Sequence, residues 1–223
     1  MHIGLIGGIG PAATDYYYRG LIRALAGTGR SLDVTISHAD SATLIGNLSE
    51  NNIEAQTETF LKLIDRLMAA GADCVAVTSI AGHFCIEPVT QKSPIPVVNL
   101  IHTVKAEIQR LGLSSVGLLG TKTVMESDFY GRLTSIEVVI PEGEDLDKVH
   151  NNYVEMAMAM SATESHRETF LRAGQQMCDG QGAEAVLLAG TDLFLAFDGQ
   201  PCNFNVIDCA ELHIAALAEQ AKI

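Results

Sequence analysis

GADCVAVTSIAGHF, residues Gly71–Phe84, returns as GAEAVLLAGTDLFL, residues Gly182–Leu195. Each stretch opens on Gly-Ala-acid, continues as a short apolar run and ends in a cluster of small residues. That pattern reads as a turn, a buried parallel strand and a strand tip. Laid over one another, the two tips pair Ser79 with Gly190, Thr78 with Ala189, Ile80 with Thr191 and Ala81 with Asp192.

Two further matches fall in the same order along the chain. GLIGGIGPAATDYY (Gly4–Tyr17) matches GLLGTKTVMESDFY (Gly117–Tyr130), and PVVNLIH (Pro96–His102) matches NVIDCAE (Asn205–Glu211). Three ordered matches point to a duplicated unit. Short apolar runs at Ile3–Ile6, Val34–Ser37, Cys74–Thr78, Val97–Leu100, Val116–Leu119, Ile136–Ile140, Ala185–Leu188 and Val206–Ile207 read as strands. Longer segments with helical spacing separate them. In one, Ile53, Thr57, Phe60, Leu61, Ile64, Leu67 and Met68 form a stripe behind the capping candidates Asn51 and Asn52.

The alternation predicts an α/β fold made of two similar Rossmann-like lobes with parallel sheets. The lobes are expected to be related by a pseudo-twofold axis with a cleft between them. The expected domains are residues 1–98 with 208–223, and residues 99–207. Ligands of parallel sheets sit beyond the carboxyl ends of the strands, so both tips are expected to border one ligand.

Composition narrows the function. Of the 223 residues, 48% are hydrophobic and only 5% aromatic, with no Trp, which fits an aliphatic core. A net charge of −13 argues against a nucleic-acid partner. The five Cys (Cys74, Cys85, Cys178, Cys202 and Cys209) include no CxxC, so neither a disulfide framework nor a metal site is expected. MHIGLIGGIGP reads as a first strand and turn rather than a signal peptide, and no apolar run would span a bilayer. A cytoplasmic protein without membrane association is the expectation. Gly8–Ala13 satisfies a loose GxGxxA pattern, but only Asp40 could serve as its acidic partner, so no dinucleotide and no other cofactor is expected.

The segments GLIGGIGP, GADCVAVTSIAGH, VGLLGTKTVMESDFY, IPEGEDLDKVHNNYVEM and GAEAVLLAGTDL, in that order, resemble the aspartate/glutamate racemase family, whose members work without pyridoxal phosphate. The resemblance covers nearly the whole chain. It implies a small amino acid or dicarboxylate ligand, an isomerase activity and a homodimer. It also implies a Cys at each strand tip, one removing a proton from a carbon centre and one delivering it to the opposite face. Here those positions are Ser79 and Gly190. A hydroxyl is a far weaker acid than a thiol, and glycine has no side chain, so a symmetric two-thiol reaction is excluded.

Ser79, His83 and Asp192 are the remaining candidates for chemistry. Ser79 suits a hydrogen bond to a bound carboxylate. His83, four residues on, is either its base or a packed residue at a helix start. Asp192 is a base, an orienting acceptor or a helix N-terminal acid. The resemblance implies that Thr121 and Thr123 donate to a substrate carboxylate, with helix capping as their other role. It implies that Arg167 neutralises a distal carboxylate, unless it is a solvated surface charge; Thr163 or Ser165 would cap its helix. Gly8, Thr78, Ile80 and Thr191 complete the expected binding set, and Asp40 or Ser41 would line the same region. Three activities remain open: an atypical racemase acting on aspartate, glutamate or a related carboxylate, an inactive carboxylate-binding homologue, and a decarboxylase-like enzyme.

Overall fold

The computed structural model describes residues 1–220 of the chain. In order, β1 (His2–Gly7), α1 (Pro11–Leu25), β2 (Asp33–His38), α2 (Ser41–Ser49), α3 (Ile53–Ala69) and β3 (Cys74–Val77) lead into a 3-10 turn (Ile80–Cys85), α4 (Ile86–Lys92) and α5 (Leu100–Leu111). The chain continues through β4 (Ser115–Leu119), α6 (Lys122–Glu126), α7 (Asp128–Gly131), β5 (Glu137–Val139), α8 (Glu144–Ala159), α9 (Glu164–Gln181), β6 (Ala185–Leu188), α10 (Phe194–Phe197), β7 (Val206–Asp208) and α11 (Cys209–Gln220). The backbone divides into two compact units. One is Met1–Thr103 with the stretch from Ala210, and the other is Val104–Cys209.

The first unit holds a parallel sheet of order β2-β1-β3, and Val97 bridges in parallel to Val75 beside β3. The second holds a parallel sheet of order β5-β4-β6-β7. The two orders are the same once Val97 is counted as a fourth strand position. The registers agree as well: Gly4 faces Val75, and Gly117 faces Val186. Hydrogen bonds outside the ladders repeat residue for residue. Val75 N donates to Pro96 O and Val186 N to Asn205 O, while Thr78 N donates to Ile6 O and Ala189 N to Leu119 O. These pairs are those the sequence alignment matches, so the duplication reaches down to single hydrogen bonds.

Each sheet is covered by helices whose apolar faces are buried. A Cβ on Gly4 would come within 3.0 Å of Leu67 on α3, and one on Gly117 within 3.0 Å of Met177 on α9. The repeated glycines therefore let a helix lie close against the central strand of each unit. Local signals set the helix starts. Asn52 accepts from Ala55 N at the head of α3, and Thr163 forms a reciprocal capping box with His166 at the head of α9. Two expectations shift. Leu100 opens α5 instead of ending a strand, because Asn99 Oδ1 accepts from Ile101 N and His102 N and starts the helix there. On α3 the buried face runs through Gln56, Thr57, Phe60, Leu63, Ile64 and Leu67, while Ile53 and Met68 are exposed.

The repeat is interrupted just after the first strand of each unit. After β1 the chain runs through 15 residues of regular helix, whereas Asp128, Phe129 and Tyr130 after β4 all have φ between 50° and 59°. Left-handed backbone at three consecutive non-glycine residues costs about 1–2 kcal/mol each. Fully buried Phe129 and the hydrogen bond from Tyr130 N to Ser127 Oγ hold the turn. No described helix is long and apolar enough to cross a membrane.

Candidate functional site

In the first unit the ends of β1 and β3 are tied together by hydroxyls. Thr78 is fully buried and donates through Oγ1 to Ile6 O at 3.1 Å. Thr14 Oγ1 lies 2.9 Å from Thr78 Oγ1 and is the donor of that pair, since the Thr78 hydrogen is committed to Ile6. A Cβ on Gly7 would stand 2.5 Å from Thr14 Oγ1, so glycine there makes room for this tie. Thr78 thus braces the tip with its hydroxyl and offers no free donor. Gly8, at φ +138°, lies against Ala39 O, and its own carbonyl accepts from Ser41 Oγ. Asp40 caps α2 through Thr43 N and Oγ1, and these two bonds lower its pKa.

Ser79 follows β3 in an extended conformation, with φ −133°, and is buried. Among the described residues its hydroxyl has no hydrogen-bond partner, while its carbonyl accepts from His83 Nδ1–H at 2.8 Å. His83 therefore grips the Ser79 main chain rather than its hydroxyl. The Nδ1 bond leaves Nε2 as the bare acceptor nitrogen, buried and without a partner. Burial lowers the His83 pKa to about 4, against the opposing effect of the Ser79 hydrogen bond. Ile80 is buried in the turn that follows.

Sequence reasoning missed His213 on α11. Its ring stands edge-on to His83 at 6.2 Å, takes a hydrogen bond from Tyr17 OH at Nδ1 (2.9 Å) and donates from Nε2 to Val98 O (2.8 Å). Burial, with the charge of His83 as a smaller cause, lowers its pKa to about 3. Nothing in a sequence pattern marks a lone His on the last helix as the neighbour of His83.

In the second unit the end of β4 presses against the end of β6. A Cβ on Gly120 would stand 2.6 Å from Ala189 O. Thr121 caps α6 by accepting from Val124 N, which leaves its hydroxyl hydrogen uncommitted, and Thr123 is exposed. Thr191 is fully buried with an unpartnered hydroxyl. Asp192 is buried as well and accepts from Tyr153 OH of α8 at 3.3 Å. Arg167 sits in the first turn of α9, partly exposed, with Nη1 3.6 Å from Glu164 and a buried Nε lacking a partner.

Tyr153 was also missed, although it lies inside a quoted motif. A Cβ built on Gly190 would fall 2.3 Å from Tyr153 Cε2, 2.8 Å from Cζ and 3.0 Å from the phenol oxygen. The ring occupies the space that any side chain at position 190 would need. Burial, then the Asp192 charge, raises the Tyr153 pKa well above its ordinary value. None of the five Cys stands at the end of β3 or β6: Cys74 begins β3, and Cys85 ends the 3-10 turn with its pKa pushed up to about 12 by burial. No described cluster of His, Cys, Asp and Glu could hold a metal ion. A cavity of about 540 Å³ in this unit is lined by residues such as Pro141, Glu142, Asp145 and Gln181 and includes none of the expected site residues.

Comparison with known proteins places these features in a family. The family model described as Asp/Glu/Hydantoin racemase matches residues 6–217. An aspartate racemase homologue from Pyrococcus horikoshii is 28% identical, with TM-score 0.85, over 100% of this chain and 99% of its own. A candidate Asp/Glu racemase from Yersinia pestis, 24% identical over 100% and 99% of the two chains, has the same fold at TM-score 0.86. Arylmalonate decarboxylase, 13% identical, shares the fold at TM-score 0.58 over 99% and 92%.

Proposed function

Since the chain belongs to the Asp/Glu/Hydantoin racemase family, we propose that it acts without a cofactor at the Cα of aspartate, glutamate or a related small carboxylate. Ser79 and Gly190 stand, in this reading, where the family's two thiols stand, so the chemistry is atypical. The observation that carries the reading is the residue-level duplication, which puts Ser79 and Gly190 at equivalent ends of β3 and β6 within a family-wide match. Within the first unit, Ser79, whose hydroxyl has no described partner, is the donor available to a ligand carboxylate; within the second, Thr121, whose hydrogen is uncommitted, is such a donor. Thr123 and Thr191 add hydroxyls, and Arg167 meets a distal carboxylate by releasing Glu164. His83, whose Nδ1 is held by the Ser79 carbonyl, fixes the tip instead of acting as a base.

The test is hydrogen exchange at Cα, followed by proton NMR in deuterated water. L- and D-aspartate and L- and D-glutamate are the substrates. Slow loss of the Cα signal from at least one of the four is expected, together with a rise in melting temperature on adding that compound. Neither exchange nor a thermal shift with any of them would sink the proposal. A second reading, a carboxylate-binding protein without turnover, is favoured by the absence of any side chain at position 190. It would show as a thermal shift with no exchange.

A further inference from the structure

Glycine at position 190 leaves the end of β6 without a side chain of its own, and a neighbouring hydroxyl stands in that place. The Tyr153 phenol oxygen stands 3.0 Å from the point where a Cβ of residue 190 would lie, within the volume that such a side chain would fill. Its hydroxyl donates to Asp192, two residues beyond Gly190 in the same tip. A hydroxyl from a neighbouring helix thus occupies the place of the missing side chain and is hydrogen-bonded to a carboxylate of the same tip.

We propose that Tyr153 and Asp192 form the acid/base pair of the β6 tip, with the phenol as a proton relay between the ligand's Cα and the carboxylate. This rests on the proposed function above. In the forward step the Cα–H bond breaks and its proton passes to the Tyr153 oxygen as the phenol proton passes to Asp192 Oδ2. The electron pair remains on Cα, delocalised into the adjacent ligand carboxylate. In the reverse step Asp192 returns its proton to the phenol oxygen, and the phenol hydrogen goes to Cα. Tyr153 is neutral at both ends of the relay. That suits its surroundings, since burial and the Asp192 charge both oppose a phenolate there. A tyrosine acting alone would have to form that phenolate. Paired with a carboxylate, it only passes the charge on.

The relay is tested with Tyr153→Phe, which keeps the ring that packs against Gly190, and with Asp192→Asn. Cα exchange of L- and D-aspartate and of L- and D-glutamate in deuterated water is measured beside the thermal shift that each induces. The expected result is a loss of exchange of about 100-fold or more in Tyr153→Phe, with the thermal shift retained. Asp192→Asn, which cannot take up the relayed proton, is expected to lose exchange to the same extent. Exchange within about twofold of the unaltered protein in Tyr153→Phe would overturn the relay and leave the proposed function standing. Absence of exchange in the unaltered protein would remove the proposed activity and the relay with it. Loss of exchange together with the thermal shift would make Tyr153 a binding residue and would also overturn the relay.

Discussion

At position 190 a residue without a side chain lies directly against the Tyr153 ring. Tyr153 Cε2 lies 2.3 Å from where a Cβ would be, far inside van der Waals contact. Gly190→Ala therefore forces the ring or the strand tip to move, and overpacking of this kind costs about 1–3 kcal/mol. Tyr153→Ala alone opens a cavity and costs about 3–5 kcal/mol, as aromatic truncations in cores do. Made together, the two changes relieve one another, so the double variant is expected to be more stable than the sum of the single effects allows. Urea unfolding of all four proteins measures that coupling, and strictly additive losses would show that ring and tip do not compete. The same contact bears on any attempt to put a thiol at position 190, which forces the Tyr153 ring or the strand tip to shift.

At the level of elements, α9 shows how one residue type plays opposite parts within 18 residues. Gly174 is buried, and a Cβ there would meet the Phe204 ring at 2.4 Å. Gly180 is exposed, with nothing within 4 Å of the same point. Alanine gains up to about 1 kcal/mol over glycine in a helix interior and somewhat less near an end. At Gly180 only that gain acts, so Gly180→Ala is expected to stabilise by roughly 0.5 kcal/mol. At Gly174 the clash outweighs the gain, and Gly174→Ala is expected to destabilise by about 1–2 kcal/mol. Thermal unfolding of the two variants should move in opposite directions, and a rise in melting temperature for Gly174→Ala would contradict the packing. The divergence after β4 belongs to this scale too. Asp128 aligns with helical Asp15, yet it adopts φ +50°, because the local hydrogen bonds of Ser127 and the burial of Phe129 outweigh helix propensity.

For the whole molecule, the buried His83–His213 pair adds its own pH dependence to stability. The folded-state values of about 4 and about 3 lie below the ordinary 6.5 of a histidine, with burial as the main cause. Between those values the unfolded chain binds more protons than the folded one, so stability rises with pH. The contribution of the pair is complete above about pH 6.5, falls as the solution is acidified towards about pH 4, and levels off only below about pH 3. The His83 shift alone corresponds to about 3 kcal/mol, at 1.36 kcal/mol per pKa unit. Urea unfolding at about pH 7.5 and about pH 5 should show a marked loss in the unaltered protein and a smaller one in His83→Gln. Equal losses would mean that His83 is not held neutral in the fold.

The sequence by itself determined the parallel α/β architecture, seven of the eight strand positions, the duplicated half and the location of Ser79 and Gly190 at matching strand ends. It could do so because buried parallel strands read as short apolar runs and because duplicated segments keep their ladder partners, so that aligned residues make aligned hydrogen bonds. The tertiary structure alone decided which atoms surround those ends. It brought Tyr153 from α8 into the space beside Gly190, set His213 of α11 against His83, and turned the Thr78 hydroxyl and His83 Nδ1 inward to main-chain carbonyls. Those contacts join residues up to 130 positions apart through packing of specific shapes, and no local pattern of hydrophobicity or spacing encodes which shapes will meet.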